Sequence, residues 1–120
     1  MEINRSYYID ETNPINGTYE CCMKQEFHGG INRRYGRIRL RADGEGRLSG
    51  TMFPTMFWLE STFSYGTCDK ENFAFTAYFG SPCQQFSMDV KGKVVGDTLT
   101  GEVHSPMGDY VLEGKRKENV

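Results

Sequence analysis

A chain of 120 residues with a formal net charge of −2 has room for one hydrophobic core and not for two. The acidic balance excludes a nucleic-acid binder of generally basic composition, and no apolar run approaches the ~20 residues that cross a membrane. Fourteen glycines, 7 tyrosines and 8 phenylalanines, without runs of helix formers, favour β structure.

Residues Met1 to Asn16 show no sustained period and end in the turn-like Asn13-Pro14. Tyr7, Tyr8 and Ile9 are too apolar for an inert tail and are expected to pack on the domain or on a second subunit. The segment has no apolar h-region, so a cytoplasmic location with the cysteines as thiols is expected. From Gly17 onward the pattern turns to period two, as in half-buried strands. Gly17 to Phe27 places Tyr19, Cys21, Met23, Gln25 and Phe27 on one face, and a loop is expected over His28 to Asn32. The next strand alternates Ile38, Leu40 and Ala42 with Arg37, Arg39 and Arg41. Asp43 to Gly46 then turns into a strand over Arg47 to Phe53, stopped by Pro54. Trp58 and Leu59 cannot both face the core of a regular strand, so a bulge or corner is expected before a strand over Ser61 to Tyr65.

After a turn over Cys68 to Asn72, Phe73, Phe75, Ala77 and Phe79 share a face. Gln84 to Lys93 buries Phe86, Met88 and Val90, Thr98 to His104 buries Leu99 and Val103, and Asp109 to Lys115 buries Tyr110 and Leu112. The stretch DGEGRLSGTMF (Asp43 to Phe53) returns in altered form as VGDTLTGEVH (Val95 to His104), a turn feeding a strand with a glycine set into it. Such glycines, at Gly50, Gly92, Gly101 and Gly114, let a small sheet coil. The sum is an all-β, antiparallel, up-and-down barrel of about eight strands over residues 17–117, with an N-terminal extension over 1–16 and a solvated tail over 118–120, which Lys115 to Lys117 already approach.

With Asn16-Gly17-Thr18-Tyr19 opening the first strand and Arg116 just past the last, the chain resembles the calycin group of lipocalin, fatty-acid-binding and avidin-like barrels. Gly50-Thr51 in the third strand is similar in layout to the avidin-like members, and Tyr19 stands where the family has Trp. The likeness runs from about Ile15 to Lys117 and is greatest to small bacterial calycin-like proteins. It implies a closed barrel with a basic residue over the first-strand ring, and a pocket.

Cys21 and Cys22 are neighbours in a strand and point to opposite faces, so they do not jointly hold a metal. Cys68 and Cys83 bracket a strand of ~26 Å, too far for a disulfide. His104 follows Glu102 at i+2 and could form an acid/base pair with it, on the outer face. Asp43-x-Glu45 and Asp69-Lys70-Glu71 read as turns, not as calcium loops. No catalytic residue, metal site or cofactor is expected. Arg37, Arg39 and Arg41, with Arg33, Arg34 and Arg47 nearby, form a cationic face suited to anions or an interface, or else paired with Glu20 and Glu26. Inside, Tyr19, Met23, Gln25, Met52, Trp58, Phe75, Phe86, Met88 and Tyr110 line or fill the lumen, with Phe27 and Phe73 beside them.

The function expected is a non-enzymatic barrel holding a small hydrophobic or aromatic molecule, with neither nucleic acid nor membrane as partner. One alternative is a homodimeric interaction protein with a filled barrel, using Tyr7 to Ile9, Phe53, Phe57 and Trp58. The other is a cofactor-free isomerase or decarboxylase, for which Glu60 is the one inward carboxylate the pattern offers.

Overall fold

The computed structural model describes residues 13–54, 60–81 and 84–118, the side chains of 81, 84 and 118 excepted. It contains β1 (Gly17–Phe27), β2 (Gly30–Ala42), β3 (Arg47–Pro54), β4 (Ser61–Asp69), β5 (Asn72–Ser81), β6 (Gln84–Val95), β7 (Thr98–Ser105) and β8 (Gly108–Glu118). Each strand pairs antiparallel with its chain neighbours, and β8 pairs back onto β1, so the sheet is a closed up-and-down barrel. The eight-stranded barrel expected from the alternation is the fold observed. Among the described residues no helix is long and apolar enough to cross a membrane.

The alternation works as one face in, one face out. In β2, Ile38, Leu40 and Ala42 are buried while the arginines between them face outward. In β5, Phe73, Phe75, Ala77 and Phe79 are buried, and Met88, Val90 and Val94 of β6 lie beside them. Among the described connections, each short turn carries or adjoins a residue at positive φ. Gly29 sits at +107° between β1 and β2, Lys70 at +57° between β4 and β5, and Gly96 at +61° between β6 and β7. Two loops expected from composition are therefore shorter than their polar residues suggest. The β1–β2 ladder runs on to Phe27↔Gly30, leaving only His28-Gly29 to turn, and the β4–β5 ladder runs on to Asp69↔Asn72. Because β1 and β2 extend that far, Phe27 is 56% exposed rather than inward. The C-terminal run Lys115 to Lys117 is not a solvated tail either, since β8 continues through it to Glu118.

Two features set the barrel's shape. On the inner face Gly92 of β6 stands opposite Gly101 of β7. A Cβ on Gly92 would lie 2.1 Å from the Thr100 carbonyl oxygen, and one on Gly101 would lie 2.3 Å from that of Lys91. The β6 and β7 backbones approach there more closely than a pair of side chains would allow. The second feature is a loose seam. β4 and β5 pair only over Thr67↔Ala74, Cys68↔Phe73 and Asp69↔Asn72. Farther along, the Ser61 Oγ accepts the Tyr78 N–H at 3.0 Å, a side chain standing in for a ladder bond. A register shift between β3 and β4 leaves Ser64 and Tyr65 both outward, with Tyr65 97% exposed.

The glycine contact gives a clean test. Gly92→Ala drives a methyl into backbone and should cost about 1–3 kcal/mol or more. Gly44→Ala, with nothing within 4 Å of the added Cβ, should be neutral or stabilise by about 0.4–1 kcal/mol. Urea unfolding of the two variants beside the parent chain reads the difference.

Candidate functional site

The barrel's two ends differ in chemistry. At one end the chain's first turn folds under the sheet. Asn13 Oδ1 accepts the Ile15 N–H at 3.0 Å, and Ile15 is fully buried. Tyr19, on β1 and fully buried, donates its hydroxyl proton to the Ile15 carbonyl at 2.8 Å. Arg116, from the last turns of β8, donates to the Tyr19 hydroxyl at 2.7 Å and holds its guanidinium 5.3 Å from the centre of the Tyr19 ring. The same guanidinium donates to the carbonyls of Pro14 and Gly96 and pairs with Asp97 at 2.9 Å. Burial pushes the Tyr19 hydroxyl above its ordinary pKa, although the Arg116 hydrogen bond pulls the other way. This end is stoppered, and it is built from the residues that carry the calycin resemblance.

The other end is lined differently. Gln25, Met52, Phe63, Phe79, Phe86 and Tyr110 each stand two residues from the end of their strands on this side of the barrel. Phe86 is half-buried and stacks on Phe79 with ring centres 5.5 Å apart. Gln25, half-buried, donates from Nε2 to the Met107 carbonyl at 3.0 Å, tying β1 to the β7–β8 turn. Met23 and Met88 stand two residues farther from those ends, at 4% and 0% exposure. Below them Phe75 stacks on Phe63, with ring centres 3.9 Å apart and planes at 6°. Among the described residues these apolar side chains belong to one packed core cluster or lie against it. A cleft of ≈ 10 Å³ beside Met23, Ile38 and Met52 holds no more than a water. Larger hollows open on the outside: ≈ 730 Å³ across β4 to β7 over Ala74, Gly92 and Thr100, and ≈ 660 Å³ walled by Tyr65, Tyr78 and His104.

Of the expected lumen residues, Tyr19 belongs to the stopper, and Met23, Gln25, Met52, Phe75, Phe86, Met88 and Tyr110 line the interior or its mouth. Trp58, Phe57, Cys83 and Tyr7 to Ile9 lie outside the described residues. Phe63 was not among the expected lining. The bulge at Ser64-Tyr65 hides its parity, although its two-residue spacing from Ser61 carried the signal. Glu60 is exposed and supplies no carboxylate to the lumen. Phe53 is half-buried under the Arg37 guanidinium, at 5.8 Å.

Outside the lumen, Cys21 is buried and Cys22 half-buried, on opposite faces as their adjacency requires. Burial pushes the Cys21 thiol up to about 12. His104 Nδ1 meets Asp109 at 2.9 Å and its Nε2 meets Glu102 at 3.5 Å, on the outer face. The Asp109 hydrogen bond raises its pKa. Asp43 is a turn residue: burial alone would raise its carboxyl pKa, but bonds from the Arg47 and Glu45 amides and the Arg47 side chain hold it below the ordinary value. The expected pairing of the arginine face with Glu20 and Glu26 is not formed. Glu20 faces Arg37 in register, yet its carboxylate lies 3.7 Å from Lys117. No group of three or more potential metal ligands occurs among the described residues. No protein-family model matches the chain, and no curated protein matches it either.

Two outcomes follow from the buried groups. Tyr19→Phe removes the donor to Ile15 and an acceptor of Arg116, and should cost about 1–3 kcal/mol in urea unfolding. Cys21 is protonated in the fold up to about 12 but ionises near 9.0 when unfolded. The raised pKa contributes stability below pH 9 that is lost as pH rises toward 12. Unfolding free energy at pH 8, 9 and 10 should therefore fall with a slope approaching about 1.4 kcal/mol per pH unit, and Cys21→Ala should flatten that slope.

Proposed function

We propose that this is a cytoplasmic, non-enzymatic, calycin-like binding barrel that takes a small apolar or aromatic molecule at the open end of its lumen. The observation that carries the reading is the asymmetry of the ends. One is closed by Ile15, Tyr19 and Arg116, while the other presents Met52, Phe79, Phe86 and Tyr110 with Gln25 as a polar group at its rim. A polar stopper under an apolar, methionine-rich chamber suits a ligand that enters from one side and is oriented by few hydrogen bonds. Met23, Met52 and Met88 are unbranched side chains that re-pack at low cost, so the packed interior can yield room.

Native mass spectrometry of protein purified from its own host, beside a denaturing run, tests this directly. A non-covalent mass released on denaturation supports the reading and gives the ligand's size. A neutral probe, N-phenyl-1-naphthylamine, should show saturable fluorescence that Met52→Asp reduces at least about tenfold and Tyr65→Asp leaves unchanged. Absence of both the added mass and saturable probe binding overturns it.

A second reading rests on the outer wall, where Tyr65 at 97% and Tyr78 at 68% exposure border the ≈ 660 Å³ hollow. Exposed rings beside a concave surface suit a homodimer or another protein contact. A dimer mass without added ligand, matched by light scattering at several concentrations, would move the conclusion there.

A further inference from the structure

The outward face of β2 carries Arg33, Tyr35, Arg37, Arg39 and Arg41 in unbroken alternation. Successive outward residues on a strand stand ~6.6–6.8 Å apart, so the row spans ~27 Å. Among the described residues, none of these four arginines has a carboxylate within 4.0 Å. The nearby acids are engaged elsewhere, Glu20 with Lys117, and Asp43 and Glu45 with Arg47. On the β1 side Arg33 faces Lys24 and Arg37 faces Glu20, whereas on the β3 side the neighbours are uncharged. Arg37 lies over Phe53, Arg39 Nε donates to Thr18 Oγ1 at 3.1 Å, and Arg41 Nε has no hydrogen-bond partner. Across β3 the partners of Arg37, Arg39 and Arg41 are Phe53, Thr51 and Ser49, and Thr51 in turn faces Thr62 of β4.

We propose that this face of β2 and β3 binds single-stranded nucleic acid, its phosphates on Arg33, Arg37, Arg39 and Arg41 and its bases on Tyr35 and Phe53. Four like charges held on a rigid strand without counter-charges call for an anion with a regular repeat. All four are arginine, whose planar fork matches phosphate oxygens in pairs. Tyr35, 58% exposed, interleaves with them as a stacking surface, Phe53 lies across from Arg37 as a ring that a base reaches once that guanidinium turns to a phosphate, and the Ser and Thr hydroxyls add donors to phosphate. An acidic peptide would seek a sheet edge for its backbone, and this is a face. An anionic membrane would favour projecting apolar side chains where Ser49, Thr51 and Thr62 stand. The net charge of −2 belongs to the whole chain, whereas the field at the row is set mainly by charges within a Debye length of ~8–10 Å, where four arginines outnumber Glu20. The expectation that nucleic acid is not a partner rested on the lack of a basic excess and of a concentrated basic stripe, and this proposal departs from it by taking the arginine row as such a stripe. This inference is independent of the lumen reading.

Fluorescence anisotropy with a labelled 12-nucleotide oligodeoxythymidylate, in 20–200 mM KCl, tests it. Saturable binding is expected, with a log–log salt slope between about −2 and −3, at ~0.7 per phosphate contacted. Arg37→Gln/Arg39→Gln should weaken binding at least about tenfold and bring the slope to about −1.4. Tyr35→Ala should weaken it about fivefold or more with the slope unchanged. Lys91→Gln/Lys93→Gln, the same charge loss on the outer face of β6, should leave affinity within about twofold. If the double arginine variant does not melt cooperatively, the single Arg37→Gln variant, at an exposed position, is read in its place, with at least about a threefold loss expected. The proposal is overturned by absence of saturable binding at 20 mM KCl, by loss of affinity in the lysine variant equal to that in the arginine variant, or by an unaffected Tyr35→Ala. Competition by polyglutamate or phosphatidylserine vesicles as strong as by unlabelled oligonucleotide also overturns it, as does equal affinity for a 12-base-pair duplex.

Discussion

Arg116 is where the two ends of the chain meet, and closure of the barrel depends on what it holds. Its guanidinium reaches Pro14 before β1, Tyr19 within β1, and Gly96 and Asp97 in the β6–β7 turn, while its backbone N–H donates to the Asp97 carbonyl at 2.8 Å. Every other ladder joins strands that are adjacent in sequence. The β1–β8 ladder alone must bring together segments about a hundred residues apart, at a loop-closure cost that grows with the logarithm of length. Charge-assisted hydrogen bonds to groups from three parts of the chain are a fitting offset, since each is stronger than a neutral one. The side chain is only 14% exposed, so these bonds are little weakened by water.

That junction also decides which end of the barrel is available. With Ile15 and Tyr19 drawn under the sheet, the Tyr19 hydroxyl and most of the Arg116 guanidinium are already engaged at the stoppered end. The opposite rim carries Gln25, Phe86 and Tyr110, and there the β1–β2 and β7–β8 pairs are each joined by a two-residue turn. The loose β4–β5 seam adds a line of weak pairing to the wall beside Phe63 and Phe75. Local opening of a sheet begins where ladder bonds are few, so that seam is the part of the lumen wall that opens at least cost.

Much of this fold was legible in the alternation itself. The Ile38-Leu40-Ala42 and Phe73-Phe75-Ala77-Phe79 series fix strand and face together, because a period of two leaves one consistent assignment. Turn lengths were less legible. His28 to Asn32 looks like loop by composition, yet cross-strand bonding carries Gly30 to Asn32 into β2, and polar residues on a strand that outruns the rim face water as they would in a loop. Phe27 is exposed for the same reason. Phe63 was obscured by a bulge that puts two successive residues outward, something a strict two-residue period cannot express. The partner of Glu20 was illegible because each strand has two neighbours: pairing β1 with β2 offers Arg37, while pairing β1 with β8 brings Lys117 within reach.

The arginine row bears on the register of the whole barrel. A one-residue slip of β2 would send Arg37, Arg39 and Arg41 into a lumen lined by Met23, Met52 and Leu112, where an unpaired charge costs far more than the slip could return. The row is therefore a register lock whatever else it does. A lock, however, needs only charge, and charge paired with carboxylates on β1 and β3 would serve it with less mutual repulsion. β3 instead opposes the row with Phe53, Thr51 and Ser49, and the carboxylate opposite it on β1 turns to Lys117. Register explains why these residues are charged. It does not explain why they are all arginine and all without counter-charge, and that remainder is what points to an anionic partner on the outside of the barrel.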